Sequence, residues 1–322
     1  MSREELALEV AEARKRIERD ILKTPLIYSY FLSEKVGGDV FLKLENEQYT
    51  GSFKARGSLN KIRSLSNKKE SRMLVTASTG NHGLGFARAV ALEGVNGIIF
   101  LPQDASRAKV KKLKRFPVEL RFYDGTSLDT EIAGRQFAAD NQAIWISPYN
   151  DYQVIAGQGT IALELFEQIE NFDNILITVG GGGLISGIGT MVRLQQPNTQ
   201  IIACQPERSP EMTLSLKAGH IVSLEDSLPT LSDGSAGGIE SDSVTFDICK
   251  EVIDDSILVN EDEIKEAIRM MVHEHGKIIE GSAGVPIASL LQDPKRFRGK
   301  RTVLVLCGGN IEVGKLQEIL CK

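Results

Sequence analysis

In Asn174-Ile-Leu-Ile-Thr-Val-Gly-Gly-Gly-Gly-Leu184, an apolar run with β-branched residues passes directly into four consecutive glycines. The run Asn174–Val179 predicts a buried strand, and the stretch Leu184–Gln195 after it predicts a helix. Glycines between a strand and a helix let the backbone approach a ligand, and the free N–H groups of the helix's first turn point toward an anion. The stretch therefore predicts a βα unit whose glycine loop favours a phosphate group.

The same alternation of short apolar runs and amphipathic stretches extends along the chain. Further strand candidates are Val40–Leu44, Met73–Thr76, Gly97–Leu101, Val118–Tyr123, Ala143–Ile146, Gln200–Cys204 and Thr302–Cys307. Further helix candidates are Phe53–Leu65, Leu84–Leu92, Ser106–Arg115, Leu128–Asp140, Val154–Glu170, Glu261–His275 and Ala283–Leu291. Nearly continuous apolar strands separated by helices are typical of parallel sheets built from βαβ units. The sequence therefore predicts an α/β protein with two open, mostly parallel, twisted sheets flanked by helices.

Two domains are predicted from the length and from the spacing of these elements. At about 100–200 residues per domain, a chain of 322 residues accommodates two. We expect a large domain made of residues 1–70 and 149–322, and a small mobile domain made of residues 71–148. Ligands of open α/β sheets bind where the carboxyl ends of strands meet, so the site is expected in the interdomain cleft. The segment 206–243 has few long apolar runs and is predicted to form loops and short helices near that site.

Composition and charge exclude several classes of protein. Hydrophobic residues make up 42% of the chain and charged residues 25%, values that argue against disorder, collagen and a coiled coil. The net charge of −5 leaves no basic footprint for nucleic acid and no polybasic patch for a membrane. No apolar run approaches the ~20 residues that span a bilayer, and residues 1–20 have a charged helix pattern without the features of a signal peptide. The cysteines lie far apart, which favours a reducing, cytoplasmic location: Cys204, Cys249, Cys307 and Cys321.

Two more glycine-containing loops share the order of strand, loop and helix. They are Ala77-Ser-Thr-Gly-Asn-His-Gly83 and Cys307-Gly-Gly-Asn310. A single loop of this kind is often a tight turn without function, but three at strand ends favour a shared ligand site. The loop at Gly180 alone is also compatible with a nicotinamide dinucleotide, because an acid, Glu207, follows at about the required 20 residues. Its glycines depart from the Gly-x-Gly-x-x-Gly fingerprint, and this interpretation leaves the other loops unexplained.

A lysine in unusual surroundings occurs in Glu45-Asn-Glu-Gln-Tyr-Thr-Gly-Ser-Phe-Lys-Ala-Arg-Gly57. Gly51 and Ser52 have the character of a turn and an N-cap, which places Lys54 in the first turn of a helix. The helix dipole disfavours a cation there and, together with burial, favours the neutral amine that an imine-forming nucleophile needs. The alternative is a solvated surface lysine.

Taken together, these motifs resemble those of the fold-type II, tryptophan-synthase β-like, pyridoxal-phosphate enzymes. The similarity covers nearly the whole chain and is to the branch of threonine dehydratases, serine dehydratases and serine racemases. It rests on six segments in the same order and at suitable spacings: Ser52–Gly57, Ser78–Gly83, Ile155–Thr160, Gly180–Leu184, Ile279–Gly284 and Cys307–Asn310. A seventh segment, Leu231–Gly238, is similar to the corresponding part of dehydratases of hydroxyectoine utilisation.

The resemblance implies pyridoxal 5′-phosphate as the cofactor and assigns residues to it. Lys54 is expected to hold the cofactor covalently and then to act as a general base. Phe53 is expected against the pyridine ring, Asn81 at the ring's 3′ oxygen and Cys307 at the pyridine nitrogen. The cradle expected for the phosphate consists of Gly180, Gly181, Gly182, Gly183 and the Leu184 amide.

The resemblance also implies how an amino-acid substrate is held. Its carboxylate is expected to bind through the backbone amides and hydroxyls of Ser78, Thr79, Asn81 and His82. Serine racemases of this branch carry a second hydroxyl in this loop, which delivers a proton to the opposite face of Cα. Thr79 occupies that position here, and its methyl group restricts the rotamers of the hydroxyl. Racemisation is therefore compatible with the sequence but not indicated by it.

The resembled family has a divalent-cation site, for Mg²⁺ or Ca²⁺. Its ligands are a glutamate before a proline, a backbone carbonyl and an acid six residues after the glutamate. The matching positions here are Gln205, Ser209 and Glu211. Because Gln205 removes one negative charge from this set, the sequence predicts a weakened or absent site, with Glu211 as its remaining acidic ligand.

The function that the resemblance implies is a pyridoxal-phosphate-dependent ammonia-lyase. Its substrate would be a small 3-hydroxy amino acid, L-threonine or L-serine, and its products a 2-oxo acid and ammonia. A thiol at Cys307, in place of a carboxylate, favours expulsion of a leaving group over transamination. The alternatives are a serine or hydroxyaspartate racemase, a dehydratase of hydroxyectoine breakdown, a nicotinamide-dependent oxidoreductase and a ligand-binding protein without turnover. A homodimer is implied by the resemblance alone.

Overall fold

The computed structural model describes residues 1–65, 73–224 and 228–321. The strands within these residues are β1 (Leu26–Tyr28), β2 (Asp39–Lys43), β3 (Leu74–Ala77), β4 (Gly97–Pro102), β5 (Glu119–Tyr123), β6 (Ile144–Trp145), β7 (Asn174–Thr178), β8 (Gln200–Pro206), β9 (Asp255–Val259) and β10 (Arg301–Val305). The α-helices are α1 (Arg3–Ile17), α2 (Tyr30–Val36), α3 (Lys54–Ser64), α4 (Asn81–Glu93), α5 (Arg107–Leu113), α6 (Ser127–Asp140), α7 (Tyr152–Gln168), α8 (Gly183–Gln195), α9 (Glu211–Ala218), α10 (Val244–Val252), α11 (Glu261–His275), α12 (Gly281–Gln292) and α13 (Val313–Leu320). Short 3-10 helices cover Glu45–Glu47 and Pro294–Phe297.

The strands form two sheets. The larger sheet has the order β1-β2-β10-β7-β8-β9, and it is parallel throughout except that β1 runs antiparallel to β2. The smaller sheet has the order β5-β4-β3-β6 and is entirely parallel. Central β7 is buried along its whole length, and its Ile175 pairs with Ile201 on one side and Val303 on the other. The predicted α/β class with two mostly parallel sheets is confirmed.

The two sheets draw on different parts of the chain. In the larger sheet, β2 from the N-terminal part pairs with β10 from the C-terminal part. All strands of the smaller sheet lie between Leu74 and Trp145. The proposed small domain, residues 71–148, contains this smaller sheet, and its role as a mobile unit stays a prediction. Its boundary between residues 70 and 71 falls in the segment 66–72, which lies outside the described residues.

Two edge strands, β1 and β9, and three short helices, α2, α10 and α13, are not predicted from the sequence. β1 has three residues and no buried one, while β9 has a single buried residue, so neither shows the continuous apolar pattern of a central strand. The helices α2, α9, α10 and α13 have seven to nine residues, which is too short for a clear 3.6-residue period. Helix α9 lies in the segment 206–243, where short helices are predicted.

Glycines bring three helices into backbone contact beneath the site. A Cβ on Gly57 of α3 would lie 2.8 Å from the carbonyl oxygen of Val154 in α7. A Cβ on Gly187 of α8 would lie 2.3 Å from the carbonyl oxygen of Ile155, also in α7. Such distances are too short for a real side chain, so the helices can pack this closely only with glycine. Helix α7 thereby fixes α3, which begins at Lys54, relative to α8, which follows the glycine loop.

A buried ion network anchors the start of α3. Arg56 is 1% exposed and donates to Glu45 over 2.8 Å and to Glu164 over 2.6 Å. Lys43, which is fully buried, donates to Glu164 over 2.6 Å. Two cations and two carboxylates thus compensate one another, as charges removed from water must. The network ties the first turn of α3 to β2 and α7, two residues beyond Lys54.

The apolar core lies mainly against the larger sheet, and a second apolar cluster lies beside the smaller one. Three cysteines are buried and Cys321 is exposed, and all four are free thiols. Among the helices of the described segments, none is both long and apolar enough to cross a membrane.

Candidate active site

Lys54 is the first residue of α3, and its side chain is turned into the protein. Its Nζ donates a hydrogen bond to the carbonyl oxygen of Pro148 over 2.8 Å and lies 5.1 Å from the centre of the Phe53 ring. Burial of the amine lowers the Lys54 pKa from 10.5 to about 8, although the negative charges that Cys307 and Glu280 can carry oppose this shift. The amine is therefore easier to deprotonate than that of a solvated surface lysine, which was the alternative left open by the sequence.

The loop between β7 and α8 requires its glycines. A Cβ on Gly180 would lie 2.7 Å from the carbonyl oxygen of Ser235, and a Cβ on Gly181 would lie 2.5 Å from the ring of Tyr149. Gly182 has a φ of +86°, in the left-handed region that other residues rarely adopt. These positions therefore exclude larger residues because of both contacts and backbone conformation.

The beginning of α8 offers backbone donors rather than side chains. The helix begins at Gly183, and the N-cap residue Gly182 makes no side-chain hydrogen bond. The N–H groups of a helix's first turn, here including Gly183 and Leu184, have no partner within the helix. A cradle of glycine backbone that ends in free N–H groups fits a phosphate group, which is what the sequence predicts for this loop.

Lys54 and the glycine loop meet through two consecutive residues. Pro148 accepts the hydrogen bond from Lys54, and the next residue, Tyr149, packs on the glycine loop. A Cβ on Gly183 would lie 3.0 Å from Tyr149 Cβ, and Gly181 faces the ring of the same tyrosine. The amine and the cradle therefore border one site, although 126 residues separate Lys54 from Gly180 in the sequence.

Cys307 joins this site through the backbone. The N–H of Phe53 donates to the carbonyl oxygen of Cys307 over 3.1 Å, and Ser52 forms an isolated β-bridge with Gly308. Burial, and after it the charge of Glu280, raise the Cys307 pKa well above its usual value. The Cys307 side chain is therefore a neutral thiol. Its residue is hydrogen-bonded through the backbone to Phe53, which directly precedes Lys54.

Glu280 belongs to the site, although the sequence analysis gives it no role. Asn81 Nδ2 donates to Glu280 Oε1 over 2.7 Å, and the backbone N–H of Asn310 donates to Glu280 Oε2 over 3.0 Å. Burial, together with the charge of Asp233, raises the Glu280 pKa to about 7. In the sequence, Glu280 stands between Ile279 and the apolar stretch that forms α12. An acidic residue in such apolar surroundings is expected to be buried with polar partners, and this signal could have indicated its role.

The loop of residues 78–82 offers hydroxyl groups and backbone N–H groups to a ligand, but the imidazole of His82 points into the interior. Ser78 Oγ accepts from the N–H of Gly80 over 3.2 Å, and the half-buried Thr79 hydroxyl has no hydrogen-bond partner among the described residues. His82 Nε2 lies 2.9 Å from Thr76 Oγ1, in the interior. Burial, followed by the charge of Lys54, lowers the His82 pKa to about 3. The backbone N–H of His82 can therefore make the expected contact with the substrate carboxylate, but its imidazole ring cannot, because the ring lies in the interior.

The residues at the family's cation position do not fit a cation. Gln205 Oε1 accepts from both the N–H and Oγ1 of Thr213, over 2.8 and 2.6 Å, so Gln205 Nε2 faces the carbonyl oxygen of Ser209 at 3.4 Å. Glu211 Oε2 accepts from Ser209 Oγ over 2.6 Å. A divalent cation needs oxygen acceptors directed at one point, but here an amide donor faces the carbonyl that would be a ligand. No group of three or more His, Cys, Asp or Glu residues that could hold a metal occurs in the part of the chain that the structure describes.

An aldehyde cofactor with an anionic tail needs an amine that deprotonates readily and a backbone cradle for the tail, and the site supplies both in a parallel α/β fold. These residues fit pyridoxal phosphate, and the fold is that of the fold-type II pyridoxal-phosphate enzymes. Comparison with known proteins gives the same result. The family model described as "Pyridoxal-phosphate dependent enzyme" matches residues 17–308, and the chain belongs to this family.

Similar proteins include both dehydratases and racemases. The L-threonine ammonia-lyase of Thermotoga maritima is 36% identical over 315 residues, which are 98% of this chain and 78% of that protein. The structure of the processed form of threonine deaminase isoform 2 from Solanum lycopersicum has a TM-score of 0.93 at 30% identity and matches 99% of this chain and 88% of the other. Serine racemase from Dictyostelium discoideum has a TM-score of 0.87 at 34% identity, with 95% and 99% of the two chains covered.

Proposed function

We propose that this protein is a pyridoxal-phosphate-dependent ammonia-lyase that removes the β-hydroxyl group of L-threonine or L-serine and yields a 2-oxo acid and ammonia. The observation that carries the proposal is the inward Lys54 amine, which donates to the carbonyl oxygen of Pro148 and is joined to the Gly180–Gly183 cradle through the neighbouring Tyr149. Burial lowers the pKa of this amine to about 8. The names of similar proteins support the choice of reaction, since they include an L-threonine ammonia-lyase and a threonine deaminase.

Each cofactor-side residue has a definite task in this proposal. The cofactor, when bound, supplies the electron sink for bonds at the substrate's Cα. Lys54 Nζ holds the cofactor and later, as a neutral amine, takes the α-proton. The cradle would hold the phosphate, and Phe53 would lie against the ring. Cys307, a neutral thiol, would supply no charge at the pyridine nitrogen, which would favour loss of the β-hydroxyl over transamination.

The substrate carboxylate binds, in this proposal, to the loop before α4. The donors are the hydroxyls of Ser78 and Thr79 and the first backbone N–H groups of α4, including those of Asn81 and His82. This loop lies in the proposed small domain, so movement of residues 71–148 toward the rest of the chain brings it onto the substrate and excludes water. Small-angle scattering with and without a slowly reacting substrate tests this movement, and identical curves would count against it.

We also propose that the protein is a cytoplasmic homodimer. The unpaired state of all four cysteines supports a reducing compartment. The homodimer is supported by the family resemblance alone, and light scattering of the purified holoenzyme tests it directly. A monomeric mass at all concentrations would reject it.

A racemase is a second candidate because of one residue. The hydroxyl of Thr79 lies half-buried in the substrate loop without a hydrogen-bond partner among the described residues, so it is free to exchange a proton. The similarity to a serine racemase at 34% identity agrees with this candidate. Recovery of D-isomer from an incubated L-substrate would support it, and its absence would exclude it.

One substrate screen tests the proposed function. The holoenzyme is incubated with L- and D-serine, both threonine diastereomers and the hydroxyaspartates, and oxo-acid release and the chirality of recovered substrate are measured. We expect oxo acid from L-threonine or L-serine, loss of both turnover and the cofactor's absorbance band in Lys54→Ala, and retention of both in the matched variant Lys111→Met, which changes an exposed lysine. A wild-type protein that binds no pyridoxal phosphate, or that releases oxo acid from none of these substrates, would overturn the proposal.

A further inference from the structure

Asn310 connects three loops of the site through its side chain and its backbone N–H. It follows β10, and its Nδ2 donates both to the carbonyl oxygen of Thr50, over 2.8 Å, and to Asn81 Oδ1, over 2.7 Å. Its Oδ1 accepts from Lys112 Nζ over 3.0 Å, and its backbone N–H binds Glu280. The loop that leads to Lys54, the substrate loop and the turn before α12 therefore all meet at this residue.

These partners allow only one orientation of the Asn310 amide. The backbone carbonyl oxygen of Thr50 needs a donor, whereas Lys112 offers a cation, which needs an acceptor. Exchange of Oδ1 and Nδ2 would break both of these hydrogen bonds and turn an N–H toward an ammonium group. The protein also makes room for this arrangement, since a Cβ on Gly51 would lie 2.9 Å from Asn310 Nδ2.

The fixed amide of Asn310 in turn fixes that of Asn81. Because Asn310 donates to Asn81 Oδ1, Asn81 Nδ2 points toward Glu280 and donates to it over 2.7 Å. An amide nitrogen carries two protons, and only one of the two on Asn81 has an acceptor within the described residues. The second N–H can therefore donate to a ligand in the cleft. If the amide were reversed, the same ligand would face the Asn81 carbonyl oxygen.

We propose that Asn310 is a positioning residue, which fixes the Asn81 amide so that Asn81 presents an N–H, and not its carbonyl, to the bound cofactor or substrate. The proposal rests on the proposed function for the identity of that ligand. It deepens the proposed function, because the residue that sets the direction of the donor lies on the C-terminal loop, 229 residues from Asn81. Lys112, from α5, strengthens the arrangement by holding Asn310 Oδ1.

A double-variant cycle tests whether Asn310 acts through Asn81. The proteins are the wild-type holoenzyme, Asn310→Asp, Asn310→Ala, Asn81→Ala and the double variant Asn81→Ala/Asn310→Asp. Lys111→Met is the control, because it alters an exposed lysine beside Lys112. The readout without substrate is the pH titration of the bound cofactor's absorbance, or its wavelength maximum if the spectrum does not change with pH. Cofactor content, melting temperature, kcat and KM are measured in parallel.

We expect Asn310→Asp to shift the titration midpoint by about one to two pH units in the direction seen for Asn81→Ala, the size of a lost hydrogen bond to a charged group. An aspartate offers only acceptors, so the Asn81 amide reverses. The double variant should shift no further than Asn81→Ala alone. A loss of this size lowers kcat about tenfold or more, with a smaller change in KM. Lys111→Met should match the wild type.

Two results would overturn the proposal. One is a midpoint in Asn310→Asp that equals that of the wild type, and the other is a shift in the double variant that equals the sum of the two single shifts. If Asn310→Asp does not fold or bind the cofactor, Asn310→Ala, alone and combined with Asn81→Ala, decides by the same criteria, since it removes the amide without adding charge. The titration contains no substrate, so an enzyme without turnover on hydroxy amino acids would reject the proposed function and still leave this test with a definite answer.

Discussion

His82 makes the folding free energy depend on pH, and replacing it with glutamine should remove that dependence. Its Nε2 lies 2.9 Å from Thr76 Oγ1 and 3.1 Å from the carbonyl oxygen of Ile146, and its Nδ1 is buried without a partner. Burial lowers the His82 pKa from 6.5 to about 3 in the folded protein. Glutamine places an amide nitrogen near the position of Nε2 but does not titrate.

The sign and size follow from the two pKa values. Above pH 6.5 the ring is neutral in both states, so it adds no pH dependence. Below pH 6.5 the unfolded chain binds a proton that the folded protein does not accept, and stability falls as the pH falls. The slope is about 1.36 kcal/mol per pH unit, so His82 should cost about 2 kcal/mol of stability at pH 5 relative to neutral pH.

Urea unfolding of holoenzyme at pH 5 to 8.5, with pyridoxal phosphate in excess, measures this cost. We expect the wild type to lose about 2 kcal/mol more than His82→Gln between pH 7 and pH 5, and the two curves to run parallel from pH 7.5 to 8.5. The control is Thr76→Val, which removes the hydroxyl partner but keeps the titrating ring, so its curve should follow the wild type's slope. Parallel curves for wild type and His82→Gln across the whole range would refute the assignment of a buried, neutral imidazole.

Three further outcomes are expected. The rate at which apoenzyme captures pyridoxal phosphate, followed by absorbance, should rise about tenfold per pH unit up to about pH 8 and then level off, because burial lowers the Lys54 pKa to about 8; a rate still rising at pH 10 would contradict this. Gly181→Ala should weaken cofactor binding at least about tenfold in a fluorescence titration, because its Cβ would meet the Tyr149 ring at 2.5 Å, whereas Gly314→Ala, in open space, should bind like the wild type. Arg56→Met should lower the free energy of unfolding by about 3–5 kcal/mol, because it removes the cation from a buried ion network; a loss under about 1 kcal/mol would show that the network relaxes.

The sequence predicts those parts of the site that are formed by residues adjacent in the chain. The glycines from 180 to 183, with an apolar strand before them and a helix after them, define their own loop conformation. Lys54 is recognisable because Gly51 and Ser52 indicate a turn and a helix start, although the predicted N-cap is wrong by one residue. Phe53 is the N-cap of α3, and the buried Ser52 hydroxyl caps no N–H group among the described residues. In each case the order of strand, loop and helix is set within a few residues, and hydrophobic periodicity and turn chemistry describe it well, although the contacts of Gly180 and Gly181 with Ser235 and Tyr149 are not local.

The parts that the sequence does not predict depend on contacts between distant residues. Glu280 is recognised only when Asn81, 199 residues away, is seen to donate to it. Asn310 is visible in the sequence as the end of a glycine loop, but its partners come from the regions around residues 50, 81 and 112. The His82 ring turns inward because Thr76 and Ile146 supply polar partners there. No local pattern contains these pairings, so only the folded arrangement reveals them.

The strand order brings the two ends of the chain together at the candidate cofactor site. In the larger sheet β10 lies between β2 and β7, and all three run parallel. The loops that follow these strands, which carry Lys54, Cys307 and the Gly180 cradle, therefore leave the same edge side by side. Without β10, β2 has no hydrogen-bonded link to β7, and Phe53 loses the carbonyl of Cys307 that its N–H binds. Strand β10 therefore links the lysine loop to the cradle within the sheet, in addition to the contacts that α7 makes with α3 and α8, and we expect its removal to weaken covalent capture of pyridoxal phosphate.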